Sequence, residues 1–235
     1  MVVVPGHSGV VVTPPAPDPP TSDPIRDPDL KPATEVLGPG VTERRRTVAL
    51  AGHVGDVGTA RAAIDDEASS VRATALGALH RLEVLTDADL RCALADPSAP
   101  VRRRACELAA GFPTVDLSAR LDDGDPSVVE MTAWALGERR ETSAVPALVR
   151  LVSPESGHSD PLCREAAVAA LGAIGDPDGL PAVLSALGDK PAIRRRAAVA
   201  LAAFDDPEVE PALRRCLEDR DWQVRQVAED LLEVD

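Results

Sequence analysis

The chain contains no tyrosine, two phenylalanines and two tryptophans among its 235 residues. A core built from it has to be aliphatic, and its supply of Ala, Leu and Val suits closely packed helices while offering poor material for a sheet. Cys92, Cys106, Cys163 and Cys216 never form a C-x-x-C pair, which excludes a zinc ribbon and a thioredoxin-like motif. Each sits among apolar residues of helical pattern, where a free thiol behaves as a small hydrophobe, as expected in a reducing cytoplasm. No apolar stretch approaches the roughly 20 residues a membrane-spanning helix needs. Met1 to Val12 also lack the basic segment and long apolar run of a secretory signal. The expectation is a cytoplasmic chain that does not engage a membrane. Ser-His-Asp arrangements, phosphate-cradling loops and dinucleotide fingerprints are missing too; Gly38-Pro39-Gly40 lacks both a preceding strand and a third glycine.

Basic charge is the other shortage. With 25 Lys and Arg against 39 Asp and Glu, the formal net charge is −14, a balance that opposes nonspecific attachment to nucleic acid or to an anionic membrane. Proline, by contrast, is concentrated. Residues 1 to about 31 include Pro14-Pro15-Ala16-Pro17-Asp18-Pro19-Pro20, then Pro24 and Pro28, which removes backbone donors and fixes φ too often for regular structure. This segment reads as a disordered tail; docking in an aromatic-lined groove, or a start codon further downstream, are the alternatives.

From residue 32 onward the chain repeats one pattern. Val71-Arg72 leads to Ala75 and Leu79, Val101-Arg102 to Ala105, Ile193-Arg194 to Ala197 and Leu201, and Val224-Arg225 to Ala228 and Leu232, with Cys163-Arg164 as a looser copy. Val71 and Val101 lie 30 residues apart, Ile193 and Val224 31, the period at which one helical hairpin stacks on the next. The pattern predicts an atypical first unit from about Thr42 and then six fuller hairpins, their second helices beginning near Ser70, Ala99, Ser127, Leu162, Ala192 and Gln223. Pro146, Pro181 and Pro211 open three first helices, and Asp125-Pro126 and Asp160-Pro161 open two second helices as N-cap and first residue. Ala-Leu-Gly at 75–77, 135–137 and 170–172 places a residue without a side chain where helices come close. Unit four carries an insertion, Ser153 to Asp160, either a contact element or tolerated slack.

With the acidic loop, the Val-Arg start and the Ala-Leu-Gly segment together, residues 41 to 235 resemble the short HEAT-like repeats of phycobilisome-lyase type. The resemblance implies an all-α, right-handed α-solenoid of six to seven hairpins. It also implies a ladder of loop aspartates and second-helix arginines, pairing Asp66 with Arg72, Asp96 with Arg102, Asp189 with Arg194 and Asp219 with Arg225, interrupted in unit three where Val129 replaces the arginine.

Repeats of this kind occur in bilin lyases, an iron-dependent hydroxylase and DNA glycosylases, so the likeness specifies fold better than activity. The hydroxylase binds iron through His-Glu pairs, and this chain has none. Its His53 and His80 occupy similar places on successive second helices without an adjacent carboxylate, a poor metal site. Glycosylases need basic, aromatic-rich surfaces; Arg44-Arg45-Arg46, Arg102-Arg103-Arg104 and Arg194-Arg195-Arg196 supply charge without the aromatics. A lyase groove for a tetrapyrrole likewise finds little aromatic material. The reading is therefore a monomeric, noncatalytic scaffold without cofactor that binds a protein on the concave face of its second helices. The candidate surface comprises Arg103, Arg104, Glu130, Trp134, Arg195, Arg196, Trp222 and Gln226. An enzyme or enzyme accessory of lyase or oxidoreductase kinship and a nucleic-acid binder are the alternatives.

Overall fold

The computed structural model describes residues 39–153 and 156–232, all within the compact unit Leu37–Asp235. The expected Pro-rich tail lies outside the described residues. Among those residues every regular element is helical. A lone helix α1 (Pro39–Val54) is followed by α2 (Val57–Ala62) and α3 (Ser69–Arg81), α4 (Asp87–Leu94) and α5 (Ala99–Ala109), and then a 3-10 turn (Ser118–Asp122) and α6 (Pro126–Glu138). After these come α7 (Val145–Val152) and α8 (Pro161–Ile174), α9 (Leu180–Ala186) and α10 (Pro191–Ala200), and α11 (Val209–Cys216) and α12 (Trp222–Leu232). The second helices α3, α5, α6, α8, α10 and α12 start within about one residue of the sequence expectation. Local chemistry explains this: Asp125 accepts the Ser127 amide and Asp160 the Leu162 amide, each at 2.9 Å, while Pro126 and Pro161 occupy a helical turn that needs no donor. Thr86 and Asp89 close a capping box on α4.

The second helices pack in succession, α1 on α3, α3 on α5, α5 on α6, α6 on α8, α8 on α10 and α10 on α12, while the shorter first helices cover their own partners. The described residues form an α-solenoid in which each unit is buried by its neighbours. Its core is aliphatic: Leu76, Leu79, Leu136, Leu148, Leu171, Ile193 and Leu201 are all buried. Glycines set the closest approaches. A Cβ at Gly137 would stand 2.9 Å from Ala170 Cα, and one at Gly172 2.7 Å from Ala200 Cβ.

The Asp–Arg ladder is present with its register shifted by one repeat. Each arginine forks onto the aspartate of the following loop: Arg72 onto Asp96 (2.8 and 2.8 Å), Arg102 onto Asp123 (2.8 and 2.7 Å), Arg164 onto Asp189 (2.8 and 2.9 Å) and Arg194 onto Asp219 (2.9 and 2.8 Å). Arg44 on α1 takes Asp66 in the same way. The expected pairs within one loop meet through the backbone instead. Arg72 Nη1 donates to the Asp66 carbonyl, Arg102 to that of Asp96, Arg194 to that of Asp189 and Arg225 to that of Asp219. The guanidinium carries five donors in a fixed fork, enough to hold its own loop with one nitrogen and the next loop's carboxylate with two. Each carboxylate also accepts an amide of its own loop, as Asp66 does from Ala68 and Asp96 from Ser98.

Unit three breaks the pattern twice. Val129 is fully buried where the arginine would stand. In the following loop His158 takes the aspartate's place: its Nδ1 accepts the Asp160 amide at 3.1 Å and its carbonyl accepts from Arg164 at 2.7 Å. Both halves of one rung are therefore replaced together, and the inserted loop around residues 153–160 returns the chain to ladder register at His158. The unit also lacks the expected first α-helix, keeping only the 3-10 turn. Arg139, at the end of α6, compensates by donating to the carbonyls of Val115 (2.8 Å), Phe112 (2.8 Å) and Ala109 (3.0 Å).

Candidate partner-binding face

Helix α8 is rich in alanine, and this decides where a groove opens. Ala166, Ala169, Ala170 and Ala173 present small side chains toward α6, which carries Met131 and Trp134. The mismatch leaves a groove of about 590 Å³ between the two helices on the second-helix face. Trp134 and Leu162, 43% and 57% exposed, form its apolar walls. Carboxylates ring it: Glu107 from α5, Glu130 and Glu138 from α6 and Glu165 from α8, with Arg196 from α10 at the far rim. Glu107 is paired with Arg104 at 2.8 Å and Glu165 with Arg196 at 3.5 Å. Glu130 and Glu138 meet no cation among the described residues. An indole face beside unneutralised carboxylates attracts a cation both through its quadrupole and through charge.

A second depression of about 490 Å³ lies on the same face toward α1, bounded by Arg45, His53, Ser70, Thr74, Arg81 and Arg104, with no carboxylate among the described residues of its lining. The linings of the two depressions thus differ in charge, basic over α1 and α3 and acidic over α6 and α8, with the Arg104–Glu107 pair of α5 at the border.

Of the residues singled out from sequence, Glu130, Trp134 and Arg196 meet in the acidic groove, and Arg104 stands at the border of the basic cleft. Arg195 bonds to the Gln223 side chain and to Asp221 at 3.4 Å. Trp222 is 64% exposed at the start of α12, and Gln226 donates to Asp230 at 2.8 Å. Arg103, Trp222 and Gln226 line neither depression. The arginine triplets do not form one basic face, because Arg44, Arg102 and Arg194 are each spent in the ladder. Sequence reasoning missed Leu162, Glu138 and the alanines of α8 as groove residues; each is unremarkable alone.

No cluster of His, Cys, Asp and Glu among the described residues is disposed to hold a metal ion. His80 rests against the Phe112 ring at 6.2 Å, tilted by 57°, whereas His53 lines the basic cleft. Burial pushes the thiols of Cys106 and Cys216 up and that of Cys163 up to about 11, so these three stay protonated and are poor nucleophiles at neutral pH. No helix among the described residues is long and apolar enough to cross a membrane.

The fold has clear relatives. The chain is similar to the phycocyanin lyase complex of CpcE and CpcF from Nostoc sp. PCC7120, at 25% identity over 75% of each chain with a TM-score of 0.55. It is also similar to YibA of Escherichia coli, at 19% identity over 81% of this chain and 74% of that one with a TM-score of 0.57. No curated protein sequence matches it significantly. The model of HEAT repeats matches residues 114–199 and 155–233, together just over half of the chain. Matched by that model and built as a stack of helical pairs, this chain belongs to the HEAT repeat family.

Proposed function

We propose that the protein is a noncatalytic adaptor whose second-helix face binds a partner protein, with the groove between α6 and α8 taking a cationic segment of that partner. The single observation that carries the reading is the exposure of Trp134 inside a ring of glutamates. Large exposed indoles in a partly enclosed groove are frequent binding anchors, and a Lys or Arg side chain laid on the indole would meet Glu130 and Glu138 at its charged end. The lyase relative is itself described as a complex of two proteins, which is consistent with a surface made for a protein partner. That likeness also favours a second reading, an accessory subunit of a lyase-type enzyme, for which a visible chromophore retained on the purified protein would be the sign.

The test uses the two tryptophans. In a Trp222→Phe variant Trp134 is the sole indole, so titration with a short Lys/Arg peptide should give a saturable change in its emission that weakens with added salt. Glu130→Gln with Glu138→Gln should reduce affinity about tenfold or more, as expected for the loss of two charge contacts of roughly 0.5–1 kcal/mol or more each. An equal response to a Glu peptide, or affinity unchanged in the double variant, would overturn the reading.

A further inference from the structure

The basic cleft is the harder feature to explain as scaffold. In a chain of net charge −14, three arginines, Arg45, Arg81 and Arg104, line it with no carboxylate among the described lining residues. Arg104 is paired with Glu107 outside the cleft, and Arg45 and Arg81 form no ion pair among the described residues. Two polar atoms of its lining residues, Arg45 Nε and Ser70 Oγ, are buried with no hydrogen-bond partner among the described residues. A buried donor left without an acceptor is costly, and such groups in folded proteins usually have a role. Arg104 is held in place by the absence of a side chain beneath it, since a Cβ on Gly77 would stand 2.6 Å from its Nη2. At the comparable contacts of Gly52, Gly137 and Gly172 the neighbour is an alanine of the next helix. Here a guanidinium takes that position and faces the cleft.

The cleft is long. Ser70 and Arg81 stand eleven residues apart on α3, about 16 Å along the helix at 1.5 Å per residue. A single small anion would meet one end only, whereas an extended run of carboxylates would meet the guanidinium groups of Arg45, Arg104 and Arg81 along its length. Arg104 and Glu107 lie one turn apart on α5, one lining the basic cleft and the other the acidic groove, so the two sites adjoin.

We propose that this cleft binds an acidic stretch of the same partner segment whose cationic residues occupy the Trp134 groove, making the recognised ligand an extended peptide of divided charge. The proposal rests on the groove reading above. The spacing follows from the stack: from α3 to the gap between α6 and α8 is two and a half helix spacings, about 20–25 Å at 8–10 Å each. Extended chain at about 3.3 Å per residue covers that in six to eight residues.

The experiment compares three peptides on the full-length Trp222→Phe protein: a Lys/Arg tract, a Glu tract, and the two joined through a Gly/Ser spacer that sets their centres six to eight residues apart. Trp134 emission reports the groove, and the anisotropy of labelled peptides reports total binding. The joined peptide should bind about ten- to a hundredfold tighter than the Lys/Arg tract, because the second contact becomes intramolecular. Arg45→Gln and Arg81→Gln should each reduce that gain, and together abolish it, while leaving the Trp134 response to the Lys/Arg tract intact. Arg81 is exposed, so its variant keeps the fold, checked by thermal melting. A joined peptide no tighter than the Lys/Arg tract, or a gain that survives both substitutions, overturns the proposal. If Trp134 fails to respond to the Lys/Arg tract, the groove reading fails; binding of the Glu tract that depends on Arg45 and Arg81 would then still uphold the cleft as an anion site, and its lack would sink that too.

Discussion

Removal of the Arg139 side chain would take a donor from the carbonyls of Ala109, Phe112 and Val115; the first two keep the amides of Phe112 and Val115, whereas the Val115 carbonyl depends on Arg139. Val115 lies in the connection between α5 and the 3-10 turn of unit three, outside any helix whose amides could reach its carbonyl. Burial also holds the guanidinium below its usual range, a cost the protein accepts only because the three acceptors repay it in hydrogen bonds. Arg139→Met should therefore destabilise the fold by about 1–3 kcal/mol, the cost of one orphaned buried carbonyl. Arg139→Lys should recover only part of this, since an ammonium cannot reproduce the fork. Urea denaturation followed by circular dichroism measures both, and a loss under 0.5 kcal/mol for the methionine variant would refute the stapling role.

At the level of elements, the replaced rung between α6 and α8 gives a direct test of how the ladder works. Val129 stands for the arginine, its amide bonded to the Asp125 carbonyl as that of Arg102 is to Ser98, and His158 for the aspartate, bonded to the Asp160 amide and to Arg164. Val129→Arg alone buries a guanidinium with no carboxylate to receive it and should cost about 2 kcal/mol or more. His158→Asp alone keeps an acceptor for the Asp160 amide and should cost little. Made together they should restore a rung, with a favourable coupling of about 1–2 kcal/mol in a double-mutant cycle; strict additivity would mean that the two positions do not face each other. The same rung shows what the sequence could reveal. Helix starts were legible because Val-Arg, Asp-Pro and the capping aspartates act within a few residues. Ladder register was not, because an aspartate five or six residues before an arginine looks like its partner, whereas the carboxylate it grips is more than twenty residues further on. The acidic groove was legible only as Glu130, Trp134 and Arg196, since its remaining walls come from α5, α8 and the rest of α6 and depend on small residues whose significance lies in what they leave open.

For the whole stack, the ladder predicts how the protein responds to acid. Hydrogen bonds from arginines hold Asp66, Asp123, Asp189 and Asp219 below the ordinary aspartate range, and at Asp96 those from Arg72 and the Ser98 amide outweigh an opposing effect of burial. A carboxyl group whose folded value is depressed stabilises the fold at pH above its unfolded value, about 3.9, and that stabilisation disappears as pH falls through the folded value. Stability should therefore hold from neutral pH down to about 4, helped by relief of the −14 net charge, and then fall steeply. The loss is not uniform along the stack. Each interface of a solenoid depends on its immediate neighbours, and the junction of α6 with α8 has no aspartate rung to lose, being held instead by the close approach of Gly137 to Ala170. Hydrogen exchange at pH 3 and pH 6, corrected for intrinsic rates, should show the smallest drop in protection across α6 and α8 and larger drops at α3, α5 and α10. Equal losses at every interface would separate acid sensitivity from the ladder.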